Sequence, residues 1–237
     1  MFVIILICSI AGNGQILRKR NTLLMGSRFD ITIVAQDSAT AELRIDDAIA
    51  EITRIENLIF EWRPETQVSK INLNAGIQPV KVDKEVFELT QRALRISKIT
   101  NGAFDISFAA MDKIWRFDST MTTMPTADEV KRSLAKVGYK NIILDSLQST
   151  IFLKLQGMKI GFGSIGKGYA ADKTGKPMEA KGVHAGIINA SGDIKQPNGS
   201  KWNIGITNPF DTNKFIAIVL LGRDAVTTSG NYKKFVE

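Results

Sequence analysis

Apolar and polar residues alternate from Phe29 to Ala35, which predicts a half-buried strand with Phe29, Ile31, Ile33 and Ala35 on one face. Asp37-Ser38 then offers an N-cap. Ile45, Ile49, Ile52, Ile55 and Ile59 follow at helical spacing, so a helix should run to about Phe60, before Pro64. A second helix is expected after Asp83, with Val86, Leu89, Ala93 and Ile96 inward and Asn101-Gly102 closing it. Thr126-Ala-Asp-Glu129 reads as a capping box. The short helix it starts should bury Val130, Leu134 and Val137 and stop at Gly138. Strands are expected at 141–144, 150–155 and 158–162, and then at 185–190, 202–207, 215–221 and 224–228. A helix to about Ala180 should separate the two sets. Long helices mixed with hairpins, without regular strand–helix alternation, predict an α+β fold with largely antiparallel sheets. No internal repeat, low-complexity tract or firm linker interrupts the chain.

The first ten residues are almost wholly apolar, too few to span a bilayer. They resemble the core of a secretory signal, with small residues at Ser9, Ala11 and Gly12, although the usual basic start is missing. Residues 1–21 are therefore expected to be a leader, residues 22–237 the folded domain, and the protein exported. A buried first strand is the alternative. Cys8 suggests a lipoprotein site, but Ile7 before it is larger than such a site prefers.

One cysteine and one histidine, His184, exclude an internal disulfide and a Cys/His zinc cluster. The net charge of +7 admits nucleic acid, an anionic surface or a phosphate-bearing ligand. Its basic residues are scattered and no nucleic-acid motif accompanies them, so no nucleic-acid partner is expected.

The chemistry concentrates in Lys159-Ile-Gly-Phe-Gly-Ser-Ile-Gly-Lys-Gly-Tyr-Ala-Ala-Asp172. Gly161, Gly163, Gly166 and Gly168 remove side chains, so backbone N–H groups can approach a ligand closely. A following helix would aim its positive end at the same place, which suits a diphosphate. Gly161-Phe-Gly-Ser-Ile-Gly166 also matches the dinucleotide fingerprint. The next strand, near Gly186-Ile-Ile-Asn189, lacks the acidic residue that fingerprint requires, so a Rossmann site is disfavoured. Three weaker pieces accompany this loop. Thr100-Asn-Gly-Ala-Phe-Asp105 fixes a carboxylate after a tight turn. Lys201-Trp-Asn-Ile-Gly-Ile-Thr-Asn-Pro209 is a strand ending at proline. Ala225-Val-Thr-Thr-Ser-Gly-Asn-Tyr232 crowds hydroxyls at a strand end.

Taken in order, these pieces resemble the ApbE family of FAD:protein FMN transferases. The match starts at Leu24-Met-Gly-Ser27 and passes through Glu61-Trp-Arg-Pro64, Val68-Ser-Lys-Ile-Asn72 and Thr100-Asn-Gly-Ala-Phe-Asp-Ile-Ser107, with Trp115-Arg-Phe117 downstream. It continues through the glycine loop to Asp172, then Asn189-Ala-Ser-Gly-Asp193, Trp202-Asn-Ile-Gly-Ile206 and Thr228-Ser-Gly-Asn-Tyr232. The resemblance covers roughly residues 22–237 and implies that family's T-fold-related architecture.

It further implies FAD as donor, Mg2+ as cofactor, and transfer of FMN to a threonine hydroxyl of a redox protein with release of AMP. Such acceptors include flavin-bearing subunits of membrane electron-transport complexes, so peripheral membrane association is also expected. Met25, Trp62, Ala103, Phe104, Asp105, Gly161, Gly163 and Lys167 fall at cofactor-binding positions, and Ser164 where the family supplies a metal ligand. Lys167 and Asp105 are the residues expected to carry catalysis. Gly163 to Gly168 should hold the diphosphate, and Ala103 to Asp105 the flavin end. Two departures stand out. The family commonly has an aspartate where Gly161 stands, so one carboxylate contact to the cofactor is expected to be missing. The family also normally continues past Glu237 with segments that supply the side-chain metal ligands, so a shortened chain with a weakened metal site is expected. Alternative readings are a flavin-binding remnant without transfer activity and an FAD pyrophosphatase.

Overall fold

The computed structural model describes residues 15–115, 121, 123–183, 185–195, 201–211, 213–222 and 225–228. The apolar start of the expected leader, His184, Arg116-Phe117 and residues 229–232 lie outside these.

Strands β1 (Ile16–Leu24) and β2 (Ser27–Ala35) form an antiparallel hairpin paired along its whole length. Its two turn residues, Met25 and Gly26, both have positive φ (51° and 66°), the tight primed turn that matches strand twist. β1 begins at Ile16, within the stretch expected to be a leader. Its Leu-Arg-Lys-Arg-Asn run hid it, because β1 is an edge strand whose polar side chains stay largely exposed. Arg20 pairs there with Glu42 and Asp46 of the next helix.

The predicted face of β2 holds, with Phe29, Ile31 and Ile33 fully buried. They meet α1 (Ser38–Ile59), which Asp37 caps by accepting the Thr40 N–H at 2.7 Å. Ile45, Ile52, Ile55 and Ile59 of α1 are buried, each contributing about 1.5–3 kcal/mol relative to exposure. The main sheet runs β1-β2-β6-β7-β10, where β6 is Ala185–Ala190, β7 Asp193–Lys195 and β10 Ala225–Thr227. A second sheet orders β3 (Val80–Lys81), β5 (Thr150–Leu153) and β4 (Ile142–Asp145); β8 (Trp202–Thr207) and β9 (Phe215–Leu221) form a separate pair. Each pairing among the described residues is antiparallel. The glycine loop thus sits in an α+β frame and not at the switch point of a parallel sheet.

The remaining helices are α2 (Gln67–Leu73), α3 (Lys84–Ile99), α4 (Ala127–Ser133) and α5 (Gly166–Ala180). The capping box at Thr126 and Glu129 forms as expected. The buried stripe behind it does not: Leu134 is exposed, and Ser133 is buried with its hydroxyl accepting the Asp112 N–H. The strand expected at 158–162 also has no partner strand among the described residues. Its ladder is replaced by one side chain. Asn72 donates to the Ile160 carbonyl at 3.0 Å and accepts the Ile160 N–H at 2.8 Å.

Candidate functional site

Pinned by Asn72 at Ile160, the chain next donates the Gly161 N–H to the Ile106 carbonyl at 3.0 Å. It then turns sharply, with the N–H groups of Ile165 and Gly166 both meeting the Phe162 carbonyl. Helix α5 starts there, and Ile165 gives it no side-chain cap. The N–H groups of Gly163, Ser164, Lys167 and Gly168 find no acceptor among the described residues. Those unspent donors at the positive end of a 15-residue helix make a place for an anion.

The four glycines divide into two kinds. A Cβ on Gly163 or Gly168 would meet nothing within 4 Å, so both open onto free space. A Cβ on Gly166 would stand 3.0 Å from Ile59 Cδ1 and 3.4 Å from Met25 Cε, so this glycine lets α5 close on α1 and the first hairpin. A Cβ on Gly161 would stand 2.7 Å from Glu61 Oε1 and 3.1 Å from the Ala109 Cβ. A side chain there would press on the movable end of Glu61 and on the Ala109 methyl.

Two cavities flank the loop. One, of about 330 Å³, is lined by Met25, Gly26, Phe60, Glu61, Trp62, Phe162, Gly163 and Lys167. The other, of about 800 Å³, is largely apolar, with Trp62, Leu73, Phe108, Met111 and Trp115 in its wall beside Lys113 and Lys159. Glu61, Trp62 and Gly163 line both. Trp62 is 67% exposed, with its ring edge-on to Phe60 at 5.5 Å. An exposed indole beside a cavity of that size is a ready surface for a planar ring. Lys167 forms no ion pair among the described residues.

A third cavity, of about 260 Å³, lies across the loop, lined by Arg92, Ser164, Gly168, Tyr169, Asp172 and Thr227 among others. Here the Tyr169 hydroxyl donates to Glu85 at 2.9 Å, and Arg54 bridges Glu85 and Glu51. Burial, then the Glu85 carboxylate, push the Tyr169 hydroxyl above its usual range, and the Arg54 guanidinium holds Glu85 below its own. This chain of contacts ties α5 to α3 and α1 behind the loop.

The structure thus brings Met25, Trp62, Gly163 and Lys167 together around one cleft. Ser164 faces the third cavity instead. Ala103, Phe104 and Asp105 line none of these three cavities. Both Asp105 oxygens are already engaged. Oδ1 accepts the Ser107 N–H and hydroxyl at 2.8 and 2.6 Å, and Oδ2 accepts the Tyr139 N–H at 2.7 Å. Asp105 caps the 3-10 turn Ile106–Ala110, whose first carbonyl receives the Gly161 N–H. Its influence on the loop is at one remove.

Glu61 is the cleft residue that sequence reasoning passed over. Burial pushes its carboxyl above the usual range, and no side-chain partner satisfies it among the described residues. It stood inside the Glu61-Trp-Arg-Pro64 piece, but nothing in the sequence joins it to Gly161, one hundred positions on. Among the described residues, no group of three Asp, Glu, His or Cys side chains could hold a metal ion.

The ApbE family model matches residues 25–237. A FAD:protein FMN transferase of Klebsiella pneumoniae is 31% identical over 218 residues, covering 92% of this chain and 67% of that protein. A FAD:protein FMN transferase of Treponema pallidum is 24% identical over 99% of this chain and 71% of its own length. In three dimensions, the ApbE protein of Thermotoga maritima superimposes with a TM-score of 0.79 at 25% identity, over 92% of this chain and 71% of that one. The apo flavinyl transferase ApbE of Pseudomonas stutzeri gives a TM-score of 0.72 at 23% identity, over 91% and 70%.

Proposed function

The chain belongs to the ApbE family, and from that premise we propose that its cleft binds FAD and transfers the FMN half to a protein, with release of AMP. The observation that carries this is the loop itself. Gly163 and Gly168 present open backbone at the start of α5, the donors around them are unspent, and Lys167 and Trp62 line the cavity onto which Gly163 opens. A dinucleotide offers what each part can receive. Its diphosphate oxygens suit the free N–H groups and the Lys167 ammonium, and its flat ring suits the Trp62 indole.

The reaction breaks the bond between the FMN phosphorus and the oxygen bridging it to AMP. A hydroxyl of the acceptor protein supplies the new oxygen on phosphorus and gives up its proton. Such a transfer depends on positioning and on stabilising charge at the phosphoryl oxygens. Preset amides do this without rearranging, and Lys167 adds a mobile positive charge. We take a threonine as the accepting residue, a flavin-bearing subunit of a membrane electron-transport complex as the acceptor, and the cell envelope as the place of action. No helix among the described residues is long and apolar enough to cross a membrane. The resemblance also brings Mg2+ into the proposal. The described side chains do not by themselves make a site for it, so no step here is routed through a cation.

The test is incubation of the protein with FAD, Mg2+ and a threonine-bearing acceptor peptide, read by mass. The peptide should gain one FMN unit, and Lys167→Ala should slow that gain about 100-fold, the scale of losing one preset transition-state donor. Release of free FMN and AMP with no labelled peptide would instead favour hydrolysis.

A further inference from the structure

The Glu61 carboxyl lies within reach of its own backbone N–H and of no other residue's donor among the described residues. It stands two positions after Ile59, the last residue of α1, at the negative end of a 22-residue helix where an acid is disfavoured. It is half-buried and without a side-chain partner among the described residues, which costs free energy. Yet it occupies the wall shared by the two cavities of the cleft. Any ligand that extends from one to the other passes it.

Gly161 fits this picture. Its φ is not in the left-handed region, so the backbone there does not call for glycine. A Cβ there would instead displace the end of Glu61, whose Oε1 lies 2.7 Å from where it would be. The two positions are a matched pair: a bare residue at 161 seats the acid from 61.

We infer that Glu61 is a binding residue of the cleft, whose carboxyl receives an N–H or O–H donor of the bound dinucleotide, and that Gly161 is bare in order to seat it. This rests on the FAD reading above and assigns the polar contact in the shared wall. The fitting chemistry is the donor-bearing edge of a heterocycle, which FAD carries twice, in the flavin imide and the adenine amine. The expectation that glycine at 161 leaves the cleft short of a carboxylate is then met from another element.

The experiment titrates FAD, FMN and ADP into the full chain and three variants, with thermal melting as the check on folding. Glu61→Ala should weaken FAD tenfold or more. The same factor should reappear with FMN if the flavin edge is the donor, or with ADP if the adenine edge is. Gly161→Ala should keep the melting temperature, since it presses only on the Ala109 methyl and the mobile end of Glu61, and yet weaken FAD several-fold by displacing the carboxyl. The double variant Glu61→Ala with Gly161→Asp returns an acid from the other side and should recover most of the affinity. A wild-type chain that does not bind FAD would overturn both this and the reading beneath it. Tight binding by wild type that Glu61→Ala and Gly161→Ala leave within twofold would overturn this inference alone.

Discussion

Glu61 and Asp105 show how little a residue's type says about its use. Both are acids next to motifs the sequence makes conspicuous. Asp105 is consumed by three hydrogen bonds to Ser107 and Tyr139 and shapes the scaffold, while Glu61 faces the cleft with no partner but its own backbone N–H among the described residues. This difference has a consequence for stability. The folded protein holds Glu61 above the ordinary carboxylate range because burial disfavours its charge. A folded value above the unfolded one means the native state binds the proton more tightly. The charged form therefore costs stability at neutral pH, and the cost disappears as pH falls below the unfolded value. The groups facing it across the two cavities are Lys167, Lys159, Lys113 and Asp112. None forms an ion pair with it. Glu61→Gln without ligand should therefore melt slightly above wild type at pH 7.5, a gap kept small by solvent screening of the half-exposed carboxyl. The gap should close toward pH 4. A variant that melts at or below wild type at pH 7.5 would mean that the carboxylate is satisfied.

At the scale of elements, periodicity located α1, α3, β2, β6, β8 and β9 because each has a consistent apolar face or run. It missed β1, where an edge strand reads as polar, and α2, whose seven residues are too few to establish a helical period. It also placed a strand at 158–162, where the backbone at Ile160 pairs with the Asn72 side chain in place of a neighbouring strand. Sequence patterns carry no trace of that substitution, because Asn72 and Ile160 are 88 positions apart. The pairing makes Asn72 the residue that holds the entrance to the glycine loop. Ile160 is fully buried, so Asn72→Ala strands its N–H and carbonyl without water. Urea denaturation should show a loss of about 2–4 kcal/mol. FAD should bind more weakly in the folded fraction, since 161–168 would lose its anchor. A loss under about 0.5 kcal/mol would show the segment to be held by packing alone.

For the molecule as a whole, the class of fold was legible from the mixture of long helices and hairpins, and the antiparallel pairings agree with it. The site was legible in a different way. Met25, Trp62, Gly163 and Lys167 come from the first hairpin, the end of α1 and the start of α5. Only a resemblance spanning the chain could gather them, because spacing along one segment cannot show what the fold assembles. The glycines were read as one cradle, and folding spreads them out, with Gly163 on the cleft, Gly168 on the third cavity, and Gly161 and Gly166 against the side chains of Glu61, Ala109, Ile59 and Met25. The positive charge of +7 suits a doubly charged diphosphate, although it is spread over the whole surface. The account is tested most directly by a crystal structure of the full chain soaked in FAD. It predicts diphosphate oxygens within hydrogen-bond distance of the Gly163, Lys167 and Gly168 amides and of Lys167 Nζ, with the nucleotide running past Glu61. FAD seated elsewhere, with this turn of backbone free of any anion, would contradict it.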